Sequence, residues 1–173
     1  MLTHKTSFGP MRAILALILL TPFALSVVAQ ETAVQSADNV YVGDGLVYYS
    51  LVANAAVADS ARTDDNWDII INGVEVHANR GGTILKAAFD TVSAAPESGL
   101  KDGPMKTSDG DGWYNYDMND HLITPKTERT LVIELTDGTF AKLEFAGYNH
   151  RITGEPRFVS FRYVTSAADS RSF

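Results

Sequence analysis

Residues 130–148, TLVIELTDGTFAKLEFAGY, constrain the fold more than any other stretch. Leu131, Ile133 and Leu135 recur at every second position, with polar Glu134 between them. Asp137-Gly138 then interrupts the pattern, and Phe140, Leu143 and Phe145 resume it. A period of two puts one set of side chains on one face of a strand, and an Asp-Gly pair supplies the backbone freedom of a tight reversal. WDIIINGVEVHAN, 67–79, repeats the arrangement around Asn72-Gly73. YVGDGLVYYSLV, 41–52, holds two β-rich runs around Gly43-Asp44-Gly45, and RFVSFRYV, 157–164, reads as a closing strand. Helical period is nearly absent: TILKAAFDTVSAA, 83–95, offers one or two turns, and NAAVADSAR, 54–62, is a weaker candidate. The pattern predicts an all-β domain of mostly antiparallel strands with about one short helix.

The N-terminus follows another logic. MLTHKTSFGPMR is charged by Lys5 and Arg12, AILALILLTPFALSVV is an apolar run of 16 residues, and Val27-Val28-Ala29 places small residues after it. That is the pattern of a secretory signal cleaved after about Ala29. The run falls short of the roughly 20 residues a spanning helix needs, and Pro22 lies inside it. The expected organisation is a cleaved signal peptide over 1–29, a flexible leader over 30–40, a β domain over 41–166 and a disordered tail over 167–173.

A chain of 173 residues suits one domain with a real core. Loss of Lys5 and Arg12 with the signal would carry the net charge from −7 to −9. An acidic domain without a Lys/Arg cluster is poorly suited to nucleic acid, whose phosphates demand one. The absence of cysteine excludes disulfides, thiolate metal sites, cysteine nucleophiles and the lipid-bearing Cys of a lipoprotein. The expected product is soluble, periplasmic or extracellular, with no membrane span after cleavage.

No hydrolase, zinc-protease or phosphate-loop motif occurs. His77, His121 and His150 lie 44 and 29 residues apart, without metal-ligand spacing. A binding role is therefore expected rather than an enzymatic one. The informative segment is the long Gly/Pro/Asp/Ser-rich connection from Ser93 to Gly112 with the aromatic stretch after it, since loops of that length are commonly functional. Trp113, Tyr114, Tyr116, Met118 and His121 crowd this polar region. Met118 could fill a core gap and His121 serve a turn; Met105, in GPMK, is either a plug into the core or a soft ligand.

The blocks NWDIIINGVEVHANRGGT (66–83), GWYNYDMNDHLITPK (112–126), DGTFAKLEFAGY (137–148) and FVSFRYV (158–164) resemble, in order and spacing, those of the HmuY family of bacterial haem-binding proteins. The resemblance spans roughly 45–165 and implies an almost all-β fold that takes up haem and passes it to a TonB-dependent outer-membrane receptor. The family's founding members hold haem iron between two axial side chains from loops, His in some and Met in others. One ligand lies five residues after the aromatic of the G-W block, a position that is Met118 in this chain. The other comes from the loop upstream of that block, where this chain offers Met105 and no His; His121, in an H-x-x-x-P pattern, is the main substitute. The implied cofactor is haem b. Trp113, Tyr114 and Tyr116 would wall its cleft, and Arg80, Lys101 or Lys106 would pair with its propionates. Haem iron accepts either ligand type, a thioether favouring the reduced metal. The family is often lipid-anchored, and this chain has no Cys for that. A secreted β-rich module for another ligand or a protein partner is the alternative the same residues allow.

Overall fold

The computed structural model describes residues 33–105 and 111–173. The expected signal segment lies outside the described residues, and among these no helix is long and apolar enough to cross a membrane. The strands are β1 (Gln35–Tyr41), β2 (Val47–Ser50), β3 (Ala55–Val57), β4 (Ile69–Asn72), β5 (Glu75–Leu85) and β6 (Lys101–Pro104). They continue as β7 (Tyr114–Asp117), β8 (Leu122–Pro125), β9 (Thr130–Glu134), β10 (Phe140–Asn149) and β11 (Pro156–Thr165). One sheet runs β1-β11-β10-β9-β5-β4-β2-β3 with β6 added on β5, and β7 and β8 form a separate hairpin. Every pairing is antiparallel.

Both turn signals act as the sequence indicates. Asn72 ends β4 opposite Glu75, so Gly73 is the first of two loop residues, and its φ of 58° suits a type II′ reversal. The Asp137-Gly138 turn is longer. Leu135 N–H donates to the Thr139 carbonyl at 2.8 Å, and Gly138, at φ 84°, donates to the Leu135 carbonyl at 3.0 Å.

Three expectations are corrected. No α-helix occurs among the described residues; Thr83–Leu85 completes β5 against β9, and only a 3-10 turn, Phe89–Thr91, follows. Residues 54–62 likewise yield β3 and a 3-10 turn, Asp59–Ala61. Sheet pairing outweighs a weak local preference for helix. The expected leader contains β1, which pairs with β11 from Gln35↔Tyr163 to Tyr41↔Phe158. Its polar residues and a register shift between Ala37 and Val40 hide the period of two. The expected disordered tail is ordered: Ser172 bridges Ala94, Phe173 N–H donates to the Ser93 carbonyl at 2.9 Å, and the Arg171 guanidinium lies 4.2 Å from the Phe140 ring centre. An aromatic and an arginine give even seven residues enough to cover apolar surface.

The main core lies on the inner face, where Tyr49, Leu51, Ile71, Leu131, Leu143, Phe161 and Tyr163 meet. A second cluster on the outer face joins Val132, Phe140, Val92 and Ala95 under Phe173. Thr130–Ile133 of β9 is therefore buried on both faces, as a central strand with two covered faces must be. Lys142 is buried too, its Nζ donating to the Phe89 carbonyl at 3.1 Å and the Val92 carbonyl at 2.8 Å. Burial lowers its pKa, with Asp90 opposing the shift.

Tyr163 Oη donates to the Leu51 carbonyl at 2.8 Å and lies 3.0 Å from Gln35 Oε1, tying the end of β2 to the start of β1. Burial raises the Tyr49 phenol to about 12, and burial, then Tyr49 and Asp68, raises that of Tyr163 as well. Both folded values exceed the ordinary phenol value of about 10, so the unfolded chain releases these protons first. Their contribution to stability is fully present below about pH 10 and is lost as pH rises through 12. Chemical denaturation followed from neutral to alkaline pH should show a falling midpoint above about pH 10, with a shallower fall in Tyr49→Phe. An equal slope in that variant would contradict the assignment.

Candidate functional site

The β7–β8 hairpin is fixed to the domain by the residues at its base. Trp113, 1% exposed, stacks on Phe145 with ring centres 4.1 Å apart, and its Nε1–H donates to the Val74 carbonyl at 2.9 Å. Tyr114 packs edge-on against Trp113 and is also buried. These two rings therefore belong to the core and do not line an open cleft. Ile123 of β8 packs on the same core from the opposite strand, paired with Tyr116.

Beyond that anchor the hairpin turns outward. Met118 is 79% exposed, and Tyr116 and Leu122 are exposed beside it. Asp117 Oδ1 accepts from Asn119 N–H at 2.7 Å, and His121 takes the left-handed conformation, φ 56°, that closes the turn. Tyr116 Oη and His121 Nδ1 are hydrogen-bonded at 2.5 Å, which leaves Nε2 as the ring nitrogen for any metal. The structure thus gathers Tyr116, Met118 and His121 on one projecting turn.

Met105 is placed differently. It follows β6, its N–H donates to the Val76 carbonyl at 2.9 Å, and its side chain is 6% exposed. The thioether lies where a Cβ on Gly82 would be: such an atom would sit 2.8 Å from Met105 Sδ and 2.9 Å from Ala78 Cβ. Gly82 is thus the glycine that admits Met105 into the core. Met105 also borders a cleft of about 480 Å³, shared with Thr83, Lys86 and Lys101. Lys86 escaped sequence reading although it directly follows β5; it forms an ion pair with Asp111 at 2.7 Å. Arg80, expected at the propionates, is paired with Asp65 instead. Lys106 lies outside the described residues, and His77, on β5, is 3.8 Å from the Glu75 carboxylate.

Among the described residues no group of three or more His, Asp or Glu side chains could hold a bare metal ion. Haem makes a lesser demand, since the porphyrin supplies four ligands and the protein one or two. An exposed thioether and an imidazole share one turn, whereas the buried Met105 thioether borders a different cleft, lined by Lys86, Lys101 and Asp111, to which Met118 and His121 do not contribute.

No family model matches the sequence, and no curated protein matches it. Solved structures match its fold. The apo HmuY analogue TFO of Tannerella forsythia aligns with a TM-score of 0.57 at 14% identity, covering 79% of this chain and 96% of that chain. Apo PinO of Porphyromonas gingivitis gives 0.55 at 15%, covering 79% and 98%. A protein described as HmuY-like and heme-binding, from Bacteroides vulgatus, gives 0.53 at 14%, covering 77% and 91%. The chain therefore has a HmuY-like, mostly antiparallel β fold.

Proposed function

We propose that the protein is an exported, non-enzymatic haem-binding protein that captures haem b and delivers it to an outer-membrane receptor. The observation that carries this reading is the likeness, over about four-fifths of the chain, to HmuY-like structures, one of them described as heme-binding. In this reading Met118 is one axial ligand, Met105 the second and His121 the substitute. Tyr116 supplies an aromatic wall, while Trp113 and Tyr114 hold the hairpin in place from beneath. Lys101 and Lys106 are the candidates for the propionates, while Arg80 is occupied by Asp65 and Lys86 by Asp111. Bound haem would supply an iron with open axial positions. Met118, 79% exposed, is open to a ligand from solvent.

The two methionines call for different substitutions. Met118→Ala removes an exposed side chain and should change stability by no more than about 0.5 kcal/mol. Met105→Ala would open a core cavity costing about 2–5 kcal/mol, so Met105→Leu, which keeps the volume and removes the sulfur, is the cleaner probe. With haemin added and dithionite present, Met118→Ala and Met105→Leu should each lose the resolved low-spin α/β bands, while His121→Ala keeps them. Loss in His121→Ala with none in Met118→Ala would reverse the ligand assignment.

A second reading keeps the export and the fold and changes the ligand. Its support is Met105, whose near-complete burial makes it a core plug before it is anything else. A broad spectrum like that of free haemin on addition to the native protein would favour this reading.

A further inference from the structure

The connection from β5 to β6 lines the cleft beside Met105 from both of its ends. Lys86, at its start, and Gly99 and Lys101, at its finish, border that cleft. Their immediate neighbours pack elsewhere. Ala87 and Leu100 lie against the outer-face cluster around Val132 and Phe140, as does Phe173. Gly81 makes room for Leu100: a Cβ at Gly81 would sit 3.2 Å from Leu100 Cβ. The placement of Lys86 and Lys101 in the cleft therefore follows the packing of the outer cluster.

Two devices hold the connection down. From the sheet, Lys142 Nζ donates to the carbonyls of Phe89 and Val92, and Thr130 Oγ1 donates to the Ala87 carbonyl at 2.9 Å. From outside, residues 171–173 lie antiparallel to the connection across the Ala94–Ser172 bridge. Ala95 N–H donates to the Arg171 carbonyl at 2.8 Å, and Phe173 N–H to the Ser93 carbonyl at 2.9 Å. The Arg171 guanidinium donates to the carbonyls of Ala95 and Pro96. The two devices meet at the Lys142 ammonium, 4.7 Å from the Phe89 ring centre and 5.6 Å from that of Phe173. A cation within about 6 Å of a ring centre is attracted to its face. The main core draws no residue from 167–173, so the effect of this packing is local.

We propose that Lys142 and residues 171–173 form a clamp that orders the Met105 cleft from the opposite face of the sheet. They are positioning residues: they touch no ligand, and they act through Leu100 and Ala87 on Lys101, Lys86 and β6. While Phe173 covers the cluster, Leu100 stays seated over Gly81 and β6 keeps its register on β5, with Lys101 opposite Gly82. A segment held by so few contacts opens more readily than the whole domain unfolds. When it lifts, Leu100 loses part of its cover and the cleft loses the fixed placement of Lys101. That the ordered cleft serves haem rests on the reading given above; the ordering itself does not.

The test combines amide-resolved hydrogen exchange with haemin titration on the same proteins: native, Phe173→Ala, Phe173→Leu and a chain lacking residues 171–173. Amides of residues 93–101 should exchange at least about ten-fold faster in Phe173→Ala and in the shortened chain, with β4 and β11 within about two-fold of native. Phe173→Leu, which keeps an apolar cover, should restore most of that protection. Haemin should bind at least about three-fold more weakly to the same two proteins and recover in Phe173→Leu, because a site that must be ordered on binding loses affinity. Faster exchange confined to residues 93–96, with 99–101 unchanged, would show that the segment holds only what it touches and would overturn the proposal. Equal acceleration in every strand would overturn it too, as general destabilisation. Native haemin affinity despite faster exchange at 99–101 would overturn the positioning role. If the native protein itself shows no saturable haemin binding, the haem reading fails, and the exchange pattern alone decides the clamp.

Discussion

Asp68→Ala should lose about 3–5 kcal/mol of stability, a large share of the roughly 5–15 kcal/mol that holds an ordinary domain folded. Asp68 is fully buried at the entrance to β4. Its Oδ2 accepts from Leu51 N–H at 2.7 Å, Ser50 Oγ at 3.3 Å and Val52 N–H at 3.4 Å. Its Oδ1 accepts from Thr136 N–H at 2.9 Å and Thr136 Oγ1 at 3.0 Å. One carboxylate thus satisfies donors from the end of β2 and from the β9–β10 turn, the latter 68 residues from Asp68 in the chain. Removing it strands several donors inside the protein, and each unsatisfied buried group costs about 1–3 kcal/mol. Asp68→Asn keeps the shape and restores part of the acceptor capacity, so it should fall between. Denaturant titration of the three proteins measures this directly. An Asp68→Ala midpoint within error of the native one would show that the network is replaceable.

Trp113→Ala is the second large effect expected, at about 3–5 kcal/mol for a buried aromatic. The loss includes the stack on Phe145 and the hydrogen bond to the β4–β5 turn. Because Trp113 anchors the hairpin, its removal should also loosen Tyr114–Pro125 ahead of the main sheet. Hydrogen exchange should therefore accelerate in β7 and β8 before β9 and β10. Trp113→Phe keeps a ring and loses the N–H, and should cost only about 1 kcal/mol for the hydrogen bond beyond the smaller ring's packing loss. Uniform acceleration across all strands in Trp113→Ala would mean that the hairpin is not a separate unit.

The strands that could be read in the sequence are those whose signal is local. Asn72-Gly73 and Asp137-Gly138 determine their own backbone geometry, and Ile69, Ile71, Leu131 and Ile133 alternate because the pleat does. β1 was hidden because Ser36, Asp38 and Asn39 face solvent and the register shift breaks the alternation. The positions of Met105 and Trp113 were illegible for a different reason. Their immediate neighbours are polar, while their partners, Gly82 and Val74, are 23 and 39 residues away in the chain. Lys142 makes the same point from the other side. A lysine at a core position looks like an interruption of the strand until the carbonyls of Phe89 and Val92 are brought to it. The projecting turn was partly legible: Met118 and His121 stand out by type, but only the fold separates them from the buried Trp113 and Tyr114.

The most direct test of the haem reading is a titration of the purified mature protein with haemin, followed by reduction. A one-to-one endpoint is expected, with a sharp Soret band and resolved α/β bands in the ferrous state, where thioether ligation is favoured. The same titration of a Met105→Leu/Met118→Ala protein should keep the folded circular dichroism and lose those bands. A broad, non-saturating spectrum from the native protein would contradict haem binding, and resolved bands in the double variant would contradict the methionine ligands.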